Sequence, residues 1–177
     1  MKNLTFIYGC MFAGKTTTLI EITSNFDKDN FRFFKPSIDT RSPKNKSETH
    51  NKENIDCIDV SSSIEILNKI NKHNKYILID EVQFMDANLI EVITQLIHSG
   101  KEVICAGLLL DSSQSYFKTS KIIHNIAGNR IELYANCVSC SKPANITHYK
   151  QGSMLSNVQI GGKELYEPLC SVCYLKK

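Results

Sequence analysis

A chain of 177 residues, 42% hydrophobic and 22% charged, has room for one substantial core without disulfide support. Its net charge of +3 is spread along the sequence, too weak a bias to argue for a nucleic-acid partner, and no apolar run approaches the length of a membrane span. The amino terminus enters an apolar run at once, without a signal-peptide layout, so the expectation is a soluble, cytoplasmic protein.

In chain order, Leu4–Tyr8 (LTFIY) predicts a buried strand, and Thr16–Phe26 a helix with Leu19, Ile20 and Ile22 apolar. Phe31–Phe34 (FRFF) is a second strand. Arg41–Asn54 is polar and aperiodic and is expected to be a mobile loop. Ser61–Asn71 predicts a serine-capped helix with Ile64, Leu67 and Ile70 on one face. Tyr76–Ile79 is a strand running into Asp80 and Glu81. Asn88–His98 is a helix whose apolar residues are Leu89, Ile90, Ile93, Leu96 and Ile97, with Gly100 as its stop. Glu102–Leu110 and Arg130–Tyr134 are further strands. Strands alternating with helices predict an α/β fold, a mostly parallel sheet covered on both faces. After Tyr134 the chain turns cysteine-bearing and turn-rich, so residues 1–134 are expected as a nucleotide-binding domain and 135–177 as a smaller unit.

The first strand runs into Gly9, Cys10, Met11, Phe12, Ala13, Gly14, Lys15, Thr16 and Thr17. Two glycines flanking four residues, then lysine and threonine, between a strand and a helix, is the spacing of a phosphate-cradling loop. The glycines allow the backbone close to an anion, lysine reaches the outer phosphates, and the Thr16 hydroxyl is placed for magnesium. Asp80, leaving a neighbouring buried strand, is the expected second support of that metal. Glu81 cannot share Asp80's ligand if the strand continues, because adjacent residues on an extended chain point oppositely. If the chain turns there, one carboxylate can hold the metal while the other faces a hydroxyl acceptor.

Of the seven cysteines, Cys10, Cys57 and Cys105 are scattered, whereas Cys137, Cys140, Cys170 and Cys173 form two C-x-x-C pairs. Two such pairs can offer four thiolates tetrahedrally to a structural zinc. Buried thiols or a redox pair are the competing readings. The long interval between the pairs predicts an excursion, within which Gly161 and Gly162 permit a tight bend and Tyr166 can stack or pack.

"GCMFAGKTT", "DTR" at Asp39–Arg41, "TH" at Thr49 and His50, "DEVQF" at Asp80–Phe84, the cysteine pairs and "IGG" at Ile160–Gly162 with Tyr166 occur in that order. Together, over nearly the whole chain, they resemble the zinc-containing, cytosolic type II thymidine kinase family. That resemblance implies a P-loop parallel sheet flanked by helices, with a small C-terminal zinc-ribbon-like domain carrying a lasso loop. It implies transfer of the γ-phosphate of ATP to the 5′-hydroxyl of thymidine, with deoxyuridine as a further acceptor. Glu81 would be the general base, and Gly9 through Thr17 would bind ATP phosphates with Asp39 and Arg41. Thr16 and Asp80 would serve Mg2+. The nucleoside would be held by Met11, Gln83, Phe84, Leu108, Ser112, Phe117, Thr147, Val158, Gln159, Ile160, Gly161 and Tyr166. A homotetramer inhibited by dTTP is also implied, with no nucleic-acid or membrane partner.

The sequence departs from the family pattern at Cys10, where proline is common, and in "GLLLDSSQSYF" at Gly107–Phe117. Aligned on Phe117, Leu109 stands where the family carries aspartate, and Ser112 where a phenylalanine walls the base pocket. Losing that ring removes roughly 1 kcal/mol of base affinity. A kinase with altered base preference, or a catalytically weak dTTP/ATP-binding regulator, is therefore the alternative expectation.

Overall fold

The computed structural model describes residues 1–39, 45–48, 54–150 and 161–177. In chain order the strands and helices are β1 (Leu4–Gly9), α1 (Lys15–Thr23), β2 (Phe31–Pro36), β3 (Lys46–Glu48), β4 (Asn54–Asp56), β5 (Ile58–Val60), α2 (Glu65–Asn68) and β6 (Tyr76–Ile79). After a 3₁₀ turn at Val82–Phe84 come α3 (Leu89–His98), β7 (Glu102–Gly107), α4 (Lys118–Ile126) and β8 (Asn129–Leu133). The carboxyl-terminal part holds β9 (Ala135–Asn136), β10 (Pro143–Ala144), β11 (Ile146–Tyr149), β12 (Tyr166–Leu169) and α5 (Ser171–Tyr174).

A six-stranded sheet runs in the order β5-β2-β6-β7-β1-β8, with every neighbouring pair parallel. Period-two alternation sends its side chains into two cores. Leu4, Phe6, Phe34, Ile77, Ile79, Val103 and Cys105 meet α3 and α4 residues on one face. Ile7, Phe33, Leu78 and Ala106 meet Leu19 of α1 on the other. Burial on both faces is why these strands read as unbroken apolar runs.

Helix α3 follows its apolar period, with Leu89, Val92, Ile93 and Leu96 buried. Asp86 prepares its start by accepting from the Asn88 N–H at 2.9 Å and the Ser63 N–H at 2.8 Å. At its end the Lys101 N–H returns to the Leu96 carbonyl at 3.0 Å, just past the expected stop at Gly100.

Three expectations need correction. The helix expected over Ser61–Asn71 is the single turn α2, which buries Ile66 while leaving Ile64 52% exposed; one turn is too short for a helical period to decide which face packs. The polar 41–54 stretch was expected to be loop throughout, yet Lys46–Glu48 pairs antiparallel with Asn54–Asp56. Strand β7 stops at Gly107, short of Leu110, because the chain turns back so that Phe117 N–H meets the Leu109 carbonyl at 3.1 Å. Strand β5 and helix α4 carried no expectation: the first is three residues long, and the second (KTSKIIHNI) is amphipathic but polar on average, burying only Ser120 and Ile123.

Beyond β8 the ribbons β9–β10 and β11–β12 pack around a small core of Ala135, Cys137, Ala144, Leu169 and Cys170. Cys10 from the loop after β1 joins that core. Among the described residues, no helix is long and apolar enough to cross a membrane.

Candidate active site

The carboxyl ends of parallel strands are where open α/β sheets receive ligands, and the predicted residues converge there. β1 delivers the Gly9–Gly14 loop, β2 leads to the buried Asp39, β6 to Asp80 and Glu81, and β7 to Leu108. At Gly9 the loop passes so close to β8 that an added Cβ would lie 2.2 Å from the Leu133 carbonyl oxygen. A side chain there would force strand and loop apart. Phe12 (φ 68) and Gly14 (φ 84) take left-handed backbone conformations, the kind of turn that builds anion-binding concavities. Helix α1 starts at Lys15, and the Thr18 N–H closes its first turn on the Gly14 carbonyl at 2.9 Å.

The buried Lys15 ammonium lies across this loop, donating to the carbonyls of Cys10 at 2.8 Å and Gly9 at 3.3 Å. To meet a phosphate, it would exchange these carbonyls for phosphate oxygens. Thr16 Oγ1 donates to Asp80 Oδ2 at 2.7 Å, joining the two expected magnesium residues across 64 positions of sequence. Burial, reinforced by the neighbouring Glu81 charge, pushes the Asp80 carboxyl up to about 7, with the Thr16 hydrogen bond opposing. Hydroxyl and carboxylate oxygens side by side are the donor set a hard dication takes, and a cation there would restore the carboxylate.

Glu81 is where the chain turns. Its backbone is left-handed (φ 52, ψ 42), its N–H bonds back to Asp80 Oδ1 at 2.9 Å, and the 3₁₀ turn follows. Asp80 and Glu81 are thereby released from the opposed geometry of an extended chain. Gln83 donates to Glu81 Oε2 through Nε2, and its Oε1 accepts from the Leu108 N–H at 3.0 Å.

Beside this pair is an apolar cluster: Met11, Leu108 and Tyr166 are buried together, with Phe12, Phe117, Tyr149 and Leu165 packed against them. The Met11 N–H donates to Thr147 Oγ1 at 3.0 Å, so β11 supports the loop after β1. Cys10 Sγ donates to the Ala144 carbonyl at 3.2 Å, occupying the departure from proline with a second tie to the same ribbons. Gly161 precedes a turn in which Tyr166 N–H meets the Gly162 carbonyl at 3.0 Å. The expected nucleoside residues Met11, Leu108, Phe117, Thr147 and Tyr166 thus come together. Phe84 lies in the 3₁₀ turn, and Ser112 in the loop bridged by Leu110 and Tyr116. Leu109, the other departure, packs against the main core. Arg41, Thr49, His50, Val158, Gln159 and Ile160 lie outside the described residues.

The ligand sulfurs of Cys137, Cys140, Cys170 and Cys173 all lie within 4.8 Å of one another. Cys140 and Cys170 Sγ are 3.6 Å apart, close to the ~3.8 Å edge of a tetrahedron of sulfurs about 2.3 Å from zinc. All four are free thiols. Backbone N–H groups, led by that of Cys170, hold the Cys137 thiol down at about 6, while neighbouring sulfurs, led by Cys140, push Cys173 up to about 12. Backbone N–H groups hold Cys170 down as well, so a set in which two thiols ionise readily and another resists is what a dication relieves, and the residues fit zinc. The scattered cysteines differ: burial pushes Cys57 up to about 12 and raises Cys105 further, as packing thiols.

Sequence reasoning missed Lys35. It is 2% exposed, donating to the Lys46 carbonyl at 2.7 Å and lying 3.8 Å from Asp59 Oδ1, so it ties the β3–β4 ribbon to the sheet's carboxyl edge. A charged residue inside the apolar run FRFFKP was the available signal.

The family described as thymidine kinase matches residues 2–174. The chain belongs to the thymidine kinase family. It is 32% identical to the thymidine kinase of Pseudothermotoga lettingae over 98% of this chain and 95% of that protein. It is 35% identical to the thymidine kinase of Bacteroides fragilis, covering 95% of this chain and 84% of that one. The thymidine kinase of Bacteroides thetaiotaomicron is also 35% identical, over 96% of this chain and 85% of its own length.

Proposed function

We propose that this thymidine kinase family member transfers the γ-phosphate of ATP to the 5′-hydroxyl of thymidine, and of deoxyuridine, giving dTMP or dUMP. The observation that carries this reading is the turn at Glu81. Asp80 faces Thr16 at 2.7 Å while a left-handed residue redirects Glu81 away from the strand. Two adjacent carboxylates then serve two partners.

In this reading the backbone of Gly9–Gly14 and the ammonium of Lys15 bind the phosphates, with Thr17, Asp39 and Arg41 completing their surroundings. Thr16 and Asp80 hold Mg2+, which neutralises charge on the phosphate oxygens when bound. Glu81 accepts the proton of the 5′-hydroxyl as that oxygen attacks the γ-phosphorus and the bond to ADP breaks. Met11, Leu108, Phe117, Thr147 and Tyr166 grip the nucleoside with Phe84, Ser112, Gly161 and the 158–160 segment. Residues 135–177 act as a zinc-stapled unit beside the 1–134 nucleotide-binding domain. Cytoplasmic location, a homotetramer and feedback by dTTP belong to the same proposal.

The test mixes the protein with magnesium and ATP and follows thymidine, deoxyuridine, deoxycytidine and purine nucleosides. Thymidine and deoxyuridine are expected to be phosphorylated fastest. Glu81→Gln should lower kcat by roughly 100-fold or more while ATP still binds, since a positioned general base contributes at least that much. Near-full turnover in that variant would rule out the assignment of the base. Leu109, half-buried against the core where the family carries aspartate, favours one second reading, altered base preference, which the same panel reads directly. Tight dTTP binding with no dTMP formed would instead identify a regulator.

A further inference from the structure

Gln83 lies two residues past Glu81 in the 3₁₀ turn and is only 9% exposed. Its Oε1 meets the Leu108 N–H at 3.0 Å, and because a backbone N–H can only donate, that end of the amide must be oxygen. The nitrogen end is then turned, without choice, toward Glu81 Oε2. Leu108 belongs to the cluster with Met11 and Tyr166, so a single amide spans from the nucleoside side of the site to the carboxylate. Backbone and amide also pack closely here: a Cβ on Gly107 would lie 2.5 Å from Gln83 Oε1 and 2.8 Å from Val82 Cγ2.

We infer that Gln83 is a positioning residue for Glu81, its amide clamped by the Leu108 N–H so that the carboxylate is held at a set distance from the nucleoside pocket. The inference rests on the proposed role of Glu81 as base. It revises the sequence expectation for Gln83 itself, which was contact with the nucleoside. A glutamate leaving a left-handed turn has no strand to orient it, and each of its three side-chain torsions has more than one position to choose from. A donor fixed from the pocket side favours one of them before substrate arrives. This preorganisation acts on the chemical step, so it belongs in kcat rather than in substrate affinity.

The experiment measures kcat and KM for thymidine and ATP in Gln83→Met, which keeps length and removes both hydrogen bonds, and in Gln83→Asn, which stays polar but is too short to span both partners. Both should lose roughly 100-fold in kcat with KM for either substrate within about threefold, the scale of a 1 Å misplacement of a reacting group. Gly107→Ala should show the same split, and Gln83→Met combined with Gly107→Ala should be no worse than either alone, because both break one clamp. A tenfold rise in thymidine KM with kcat retained would overturn the inference in favour of nucleoside contact, and unchanged kinetics would also overturn it. Glu81→Gln run alongside separates the two levels. If that variant is inactive while the Gln83 variants are unaffected, only the clamp is lost; if it is active, the base assignment falls and the clamp with it.

Discussion

Asp80 is 2% exposed, and a carboxylate that far from water keeps its proton to about pH 7 instead of the usual range near ~4. Between those two values the unfolded chain has already released the proton while the folded one still holds it. The folded protein without metal therefore loses stability as pH rises from about 4 toward 7, and the loss levels off above. Asp80→Asn removes that burden. In EDTA, urea unfolding should find the variant more stable than the parent at pH 8 by roughly 1 kcal/mol or more, with the gap closing at pH 4. Magnesium should narrow the gap at pH 8 by stabilising the parent alone. A gap that ignores pH would show that the Asp80 carboxylate is not held neutral by its surroundings. The roles proposed for Thr16 and Asp80 come from residue type and spacing, but their hydrogen bond could not be read there: only the sheet brings positions 16 and 80 together.

At the scale of elements, legibility followed how much apolar surface an element buries. α3 buries Leu89, Val92, Ile93 and Leu96 and was expected, whereas α4 buries only Ser120 and Ile123 and was missed. The carboxyl-terminal ribbons β9–β10 are two residues per strand, too short to persist on strand pairing alone. Four clustered sulfurs would supply the missing support with zinc bound. β10 also carries Ala144, and the adjoining β11 carries Thr147, the partners of Cys10 and Met11 in the loop after β1. Stripping zinc with a strong chelator should thus release about one equivalent of metal, lower Tm by several degrees and weaken ATP binding together. Metal release is read with a colorimetric dye, Tm by calorimetry and ATP binding by titration. ATP affinity that survives full metal loss would show that the loop stands without its ribbon. Cys173→Ser should reproduce the chelator's effect.

The whole molecule depends on a sheet buried on both faces. Phe34 and Phe33, adjacent in β2, enter opposite cores, and both are essentially inaccessible. Phe34→Ala should cost about 3–5 kcal/mol in denaturant unfolding, the range for emptying a large aromatic from a packed core. A cost below about 1 kcal/mol would mean the core collapses around the gap.

By itself the sequence determined the alternation of strand and helix, the phosphate-loop spacing between them and the paired cysteines, because each is a local pattern set by neighbours a few residues apart. Tertiary structure decided the rest. Strand order, the one-turn α2, the burial of Lys35 and the amide of Gln83 lodged between Glu81 and Leu108 all depend on which distant segments come to lie side by side. No local period records that, since a hydrogen bond between residues far apart in sequence leaves its mark only once the sheet has closed the distance.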